Sequence, residues 1–238
     1  MKKISLLSLL FFVFNMATAQ QEISTAYATQ ATNMFAPLDK NRIPHKVLLD
    51  YGFEYTNLKA YNGTLSDSTV VDVPTLKHIY NTIFSSRVTS ATTGFINPNN
   101  FDSNWKNRTA GTITVSGLYY KYNAFINDAI NLGKVNFVNN QFQDKFVSGV
   151  WQNPYQEFQA FAMAPAISKY EGLSFTVKIP STIFYSNYQS LVQSIQIDFG
   201  NGAGYVTVPF NQNVTISYAT EGVKTWKYKL NLTNGTSL

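Results

Sequence analysis

From Thr225 to Asn234 apolar and polar residues take turns. Trp226, Tyr228, Leu230 and Leu232 fall on one face, and Lys227, Lys229, Asn231 and Thr233 on the other. Successive side chains of a strand point to opposite sides, so this period of two requires a half-buried strand on a sheet with one wet face. Upstream stands Ile197-Asp198-Phe199-Gly200-Asn201-Gly202, followed about two strand lengths later by Tyr218-Ala219-Thr220-Glu221-Gly222. Gly200 and Gly202 allow the positive φ of a tight turn between twisted strands. Asp198 is placed to accept hydrogen bonds from amides of that turn. Phe199 and Trp226 then supply the large core side chains, with the indole of Trp226 expected to lie sealed between two layers of sheet.

The same period recurs upstream. Phe158 to Met163, Leu173 to Ile179, Val192 to Phe199, Tyr205 to Phe210, Val214 to Tyr218 and Thr225 to Thr233 read as strands. Short strands at this spacing, with turn signals between them, predict an antiparallel β-sandwich. Before residue 155 the period changes. Leu76, Ile79, Tyr80, Ile83 and Phe84 recur at helical spacing behind Asp72-Val73-Pro74, which predicts an amphipathic helix over 74–87 with Asp72 or Val73 at its cap. A short strand over 112–115 comes next. Leu118, Tyr122, Phe125, Ile126 and Ala129 then give a second helical stripe, with Gly133 suited to the stop. The fold class expected is α+β: a mostly helical region over 20–155, then the sandwich over 156–238.

Lys2 and Lys3, the apolar run from Ile4 to Val13 and the small residues of Ala17-Thr18-Ala19 read as an export signal, cleaved after Ala19. The run is shorter than the roughly 20 apolar residues a membrane span needs, and no later segment reaches that length. A secreted, extracellular or cell-surface location follows, with no transmembrane segment after cleavage. The chain has no cysteine, hence neither a disulfide nor a lipid-bearing thiol, and its stability rests on buried area and hydrogen bonds. The formal charge of +5 includes Lys2 and Lys3; without them it is +3. The remaining basic residues are scattered, which argues against a nucleic-acid partner.

No catalytic constellation stands out. Nucleophile-elbow, zinc-protease and phosphate-loop motifs are missing from the sequence. Of the two histidines, His78 sits off the apolar stripe of its helix and reads as solvated, while His45 follows Pro44 in a loop with nothing beside it in sequence to orient it. Asp50 and Glu54 would share a face if their segment were helical, the spacing of a carboxylate pair, but solvated positions or a helix cap explain such pairs better. Asp67 and Asp72 flank a Ser/Thr-rich loop that offers oxygens to calcium without any EF-hand spacing. The reading is no enzyme, no cofactor and no metal. The Asn-x-Ser/Thr tripeptides at Asn62, Asn107, Asn213, Asn231 and Asn234 are chance matches in so Asn- and Thr-rich a chain. Tyr119, Tyr120 and Tyr122, and Phe184, Tyr185 and Tyr188, are candidates for aromatic platforms that stack on sugars or anchor partners; core packing is the competing explanation.

The C-terminal third resembles the polycystic-kidney-disease (PKD) domain, an immunoglobulin-like sandwich of secreted and surface proteins. Asp198, Phe199, Gly200 and Gly202 match its turn, with Asn201 in place of the second aspartate. Tyr218 matches its tyrosine, Gly222 its later turn glycine, and Trp226, Tyr228, Leu230 and Leu232 its inward faces. The departures are Ile197 for an aromatic, Ile216-Ser217 for a His-Thr pair and Glu221 for a proline. The whole chain is also similar to the opening part of large multidomain secreted bacterial proteins. The resemblance implies a non-catalytic surface module for adhesion or recognition, with glycans or surface proteins as partners, at the front of a longer protein. The alternative is the accessory region of a secreted hydrolase whose catalytic domain lies beyond Leu238. The reading frame downstream of codon 238 discriminates the two.

Overall fold

Helix α1, Val73–Ser85, forms where the apolar stripe meets a proper start signal. The Asp72 carboxylate accepts the amide of Thr75, and Pro74 occupies the first turn, where its missing N–H costs nothing. Leu76, Ile79, Tyr80 and Ile83 are buried, while His78 is exposed as expected. The computed structural model describes residues 27–90, 93–104 and 109–238, so the export signal over 1–19 lies outside the described residues. Among the described residues no helix is long and apolar enough to cross a membrane.

The second helical stripe is not a helix. Residues Thr112–Phe125 form one long strand, β1, running straight through the stretch where Leu118 and Tyr122 suggested helical turns. Every residue from Val115 to Tyr120 is buried. The even positions Leu118, Tyr120, Tyr122 and Ala124 face a cluster with Leu76, Ile79 and Tyr80 of α1. The odd positions Ile113, Val115 and Tyr119 join a separate cluster. A strand covered on both faces loses its period-two signal, and its apolar run then fits a helical template by accident. A further short helix, α2 (Pro98–Asn104), follows α1 instead.

The chain is α+β. After β1 come β2 (Val135–Val138), β3 (Gln141–Asp144), β4 (Phe146–Val147), β5 (Val150–Trp151) and β6 (Tyr155–Pro165). Then follow β7 (Ser174–Lys178), β8 (Phe184–Ser186), β9 (Val192–Asp198), β10 (Tyr205–Thr207), β11 (Asn213–Ser217) and β12 (Lys227–Leu232). All six strands expected after residue 155 are present; β8 is an addition. One sheet has the order β11-β7-β1-β6, with β8 also on β1. β6 runs antiparallel along β1 from Val115–Pro165 to Phe125–Tyr155. The opposite edge of β1 is shared by β7 at Thr112–Thr114 and β8 at Gly117–Tyr119, both parallel. The sheet is therefore mixed rather than purely antiparallel, and it takes strands from both sides of the period change near residue 155. Its central position explains Gly117: a Cβ there would stand 2.7 Å from Cγ of Met163 and 3.1 Å from the Phe184 ring.

A three-stranded antiparallel sheet, β10-β9-β12, is separate from it. Ile195 and Ile197 of β9 and Leu230 and Leu232 of β12 belong to the same buried cluster as Phe161, Met163, Phe175 and Val177 of the mixed sheet.

The chain divides into two units. One comprises residues up to Asp39, described from 27, together with Asn127–Pro154; the other comprises Lys40–Ile126 and Tyr155–Leu238. The smaller holds a helix over 27–34 and the hairpins β2-β3 and β4-β5. Its apolar centre is Phe142, whose ring lies 4.9 Å from Phe35 and 4.8 Å from Phe137. Asp144 ties its segments together by accepting the Asp39 amide and the Trp151 indole N–H, each at 2.9 Å.

Candidate functional site

Residues 197–202 form the turn expected of them. The Asp198 carboxylate accepts the Gly200 amide at 2.9 Å, and Gly200 and Gly202 have φ of +69° and +89°. Phe199 is fully buried. Asn201 holds the next step, its Oδ1 accepting the Ala203 amide and its amide group donating to the Ser217 carbonyl. Gly222 also has positive φ, in an exposed turn. Along β12 and at Trp226 just before it burial follows the alternation: Leu230 and Leu232 are buried, Tyr228 and Trp226 partly so. The indole of Trp226 is thus half-buried rather than sealed. It stands edge-on to Phe199 at 4.9 Å and donates its N–H to the Tyr218 hydroxyl at 2.8 Å, which donates in turn to the Phe199 carbonyl. The Asp198, Asn201, Tyr218 and Trp226 side chains are thus held in structural hydrogen bonds.

Of the suspected aromatic platforms all but Tyr188, which is only partly buried, are core. Tyr119, Tyr120 and Tyr122 are fully buried, and Phe184 and Tyr185 nearly so. Tyr120 donates to the Gly94 carbonyl, and Tyr80 exchanges hydrogen bonds with the backbone of Ile96. Burial pushes the Tyr120 phenol well up and that of Tyr80 up to about 12.

His45 has partners that its sequence neighbours did not announce. Its Nε2 is 2.7 Å from Oε2 of Glu157 on β6, and its Nδ1 is 2.7 Å from the hydroxyl of Tyr188 beyond β8. Lys121 of β1 donates to the other Glu157 oxygen at 2.7 Å. The neutral tautomer that satisfies both contacts puts the proton on Nε2 toward Glu157 and lets Nδ1 accept from Tyr188. Burial raises the Glu157 carboxyl, but the hydrogen bonds from Lys121 and His45 outweigh it and hold the group below the usual range. The His45 side chain is only 7% exposed, that of Glu157 51%. The chain of contacts orients an imidazole and ties together segments far apart in sequence, and so serves as a clasp.

The carboxylates read as possible pairs are separate and locally employed. Asp50 accepts the Phe125 amide and Glu54 the Leu58 amide. Asp67 lies in a single 3-10 turn, Asp67–Thr69, and Asp72 caps α1. Among the described residues no group of three or more His, Cys, Asp or Glu could hold a metal ion.

The feature that sequence reading missed is in the smaller unit. Its two hairpins turn through Asn139-Asn140 and Ser148-Gly149, all four with positive φ, as tight two-residue hairpin loops require. Next to these turns Phe137, Val138, Phe146, Val147 and Val150 are exposed, and the loop before them exposes Ile130 and Leu132. Val147 and Val150 are a directly opposed cross-strand pair. Single exposed apolar residues are ordinary, but seven of them fall here within 21 positions of sequence. The Asn-Asn and Ser-Gly dipeptides, flanked by apolar residues, were the available signal.

Comparison with known proteins gives no match: no protein-family model, no curated protein and no solved structure. The class that the fold itself defines is a β-rich α+β protein with a small hairpin unit.

Proposed function

We propose that this chain is an exported, non-catalytic recognition or adhesion module that meets a surface protein or glycan outside the cell, as the N-terminal part of a longer secreted protein. The observation that carries the reading is the concentration of exposed apolar side chains on the two hairpins of the smaller unit. Rigid two-residue turns present Val147, Val150, Phe137 and Val138 at little conformational cost, and apolar side chains left in water gain most when a partner covers them. The engagement of Asp50, Glu54, Asp72 and His45 in structural hydrogen bonds favours binding over catalysis.

The mixed sheet and the β10-β9-β12 sheet are taken as an immunoglobulin-like, PKD-like sandwich. Support comes from the buried cluster to which both contribute and from the Asp198–Gly202 turn, with its Phe199 packed against Trp226.

A capture experiment tests the function. Immobilised protein should retain a partner from cell-surface extracts, and Val147→Lys/Val150→Lys should lose it while keeping the thermal midpoint. Equal capture by the two proteins, or none by either, would overturn the reading.

A further inference from the structure

At the start of β1 the larger unit has an open groove of about 260 Å³, lined by Thr109, Ala110, Thr112, Thr114, Ala166, Ile167 and Tyr170, with Gly111 at its rim. Two features set it apart from an ordinary surface dent. First, its wall is mostly apolar, with the exposed Tyr170 ring braced against Phe175 at 5.1 Å. Second, it carries hydroxyl groups with nothing to do. Thr112 and Thr114 stand two apart on a strand and so share a face. Among the described residues no protein group is hydrogen-bonded to the side-chain hydroxyls of Thr109, Thr112, Thr114 or Tyr170. The backbone around them is spent: the Thr114 carbonyl accepts the Ala166 amide, and the Gly111 carbonyl accepts that of Thr176. The side-chain hydroxyls are thus the lining residues' polar groups that the protein itself leaves unpaired.

We propose that this groove binds a single pyranose ring. A sugar has the matching chemistry: a C–H face that lies on an aromatic ring, and a rim of hydroxyls that both donate and accept. Each threonine hydroxyl can likewise donate and accept, so the site suits a neutral polyol better than an anion or a cation. Among the described residues no charged side chain lines the groove. The volume is below that of common drug-sized sites, which matches one ring rather than an oligosaccharide. Gly111, with φ of +72° and open space where a Cβ would stand, leaves the rim clear.

The site is in a different unit from the hairpins and does not depend on them. Saturation-transfer NMR of the full chain with glucose, galactose, mannose and N-acetylglucosamine tests it. At least one sugar should bind, with a dissociation constant of about 1 mM or weaker. Tyr170→Ala should weaken that binding about tenfold, and Thr112→Val/Thr114→Val, which keeps the β-branched shape of the strand, should weaken it comparably. Val147→Lys/Val150→Lys should bind the sugar like the parent, which separates this site from the hairpin surface. Absence of transfer to all four sugars, or undiminished binding in both groove variants with unchanged thermal midpoints, would overturn the proposal.

Discussion

His45 and Glu157 are 112 positions apart in sequence, yet Nε2 of one lies 2.7 Å from Oε2 of the other. Together with Tyr188 and Lys121 they clasp the loop before Val47 to β6, β1 and the segment after β8. His45→Ala should therefore lower stability by about 1–2 kcal/mol, since it strands the partly buried Tyr188 hydroxyl and removes an edge-on ring contact with that residue. Urea unfolding followed by tryptophan fluorescence measures it. An unchanged midpoint would show the clasp to be slack.

The same clasp gives a pH dependence of known sign. The Glu157 carboxyl is held below its ordinary range when folded, so the unfolded chain binds its proton more readily. Its contribution is complete above the ordinary carboxylate range and disappears as pH falls through the lowered value. Glu157→Gln should thus be less stable than the parent at pH 7, and the gap should narrow toward pH 3. Because half of the Glu157 side chain is in water, the gap should be small. A gap that widened on acidification would contradict the assignment.

Trp226→Ala should cost about 3 kcal/mol, the low end for a tryptophan, because the indole is partly exposed. Trp226→Phe keeps the edge-on contact with Phe199 but loses the hydrogen bond to Tyr218, so it should cost about 1 kcal/mol. Equilibrium unfolding of the pair separates packing from hydrogen bonding; equal losses would mean the indole N–H carries nothing.

Two buried tyrosines should respond oppositely to losing their hydroxyl. Tyr80→Phe breaks bonds to both backbone groups of Ile96 and should destabilise by about 1–2 kcal/mol. The Tyr122 hydroxyl is buried without a partner, and burial raises its pKa. Tyr122→Phe should be neutral or stabilising by up to about 1 kcal/mol, as read from thermal midpoints.

Gly52→Ala should be strongly destabilising, because a Cβ there would stand 2.7 Å from the backbone of Ser86 at the end of α1. Backbone cannot yield as a flexible side chain does, so a loss of about 1–3 kcal/mol is expected on unfolding in urea.

Helix α1, its Asp72 cap, the six later strands and the Asp198–Gly202 turn were legible in the sequence, since each is written locally. A capping carboxylate and its amide are three residues apart, and a half-buried strand shows its face every second residue. The strand character of Leu118 to Phe125 was hidden because both faces of β1 are covered, by α1 on one side and the second cluster on the other. The partners of His45 were hidden because Glu157 and Tyr188 come to it only through the pairing of β1 with β6 and β8.

By itself, then, the order of residues determined where the chain alternates, where it turns and where a helix starts, because those choices are settled by neighbours within a few positions. Only the tertiary structure decided which strand is central, which hydroxyls and imidazoles find partners, and which apolar side chains remain in water. Burial and long-range hydrogen bonding depend on segments far apart in sequence being brought together, and no local pattern encodes that meeting.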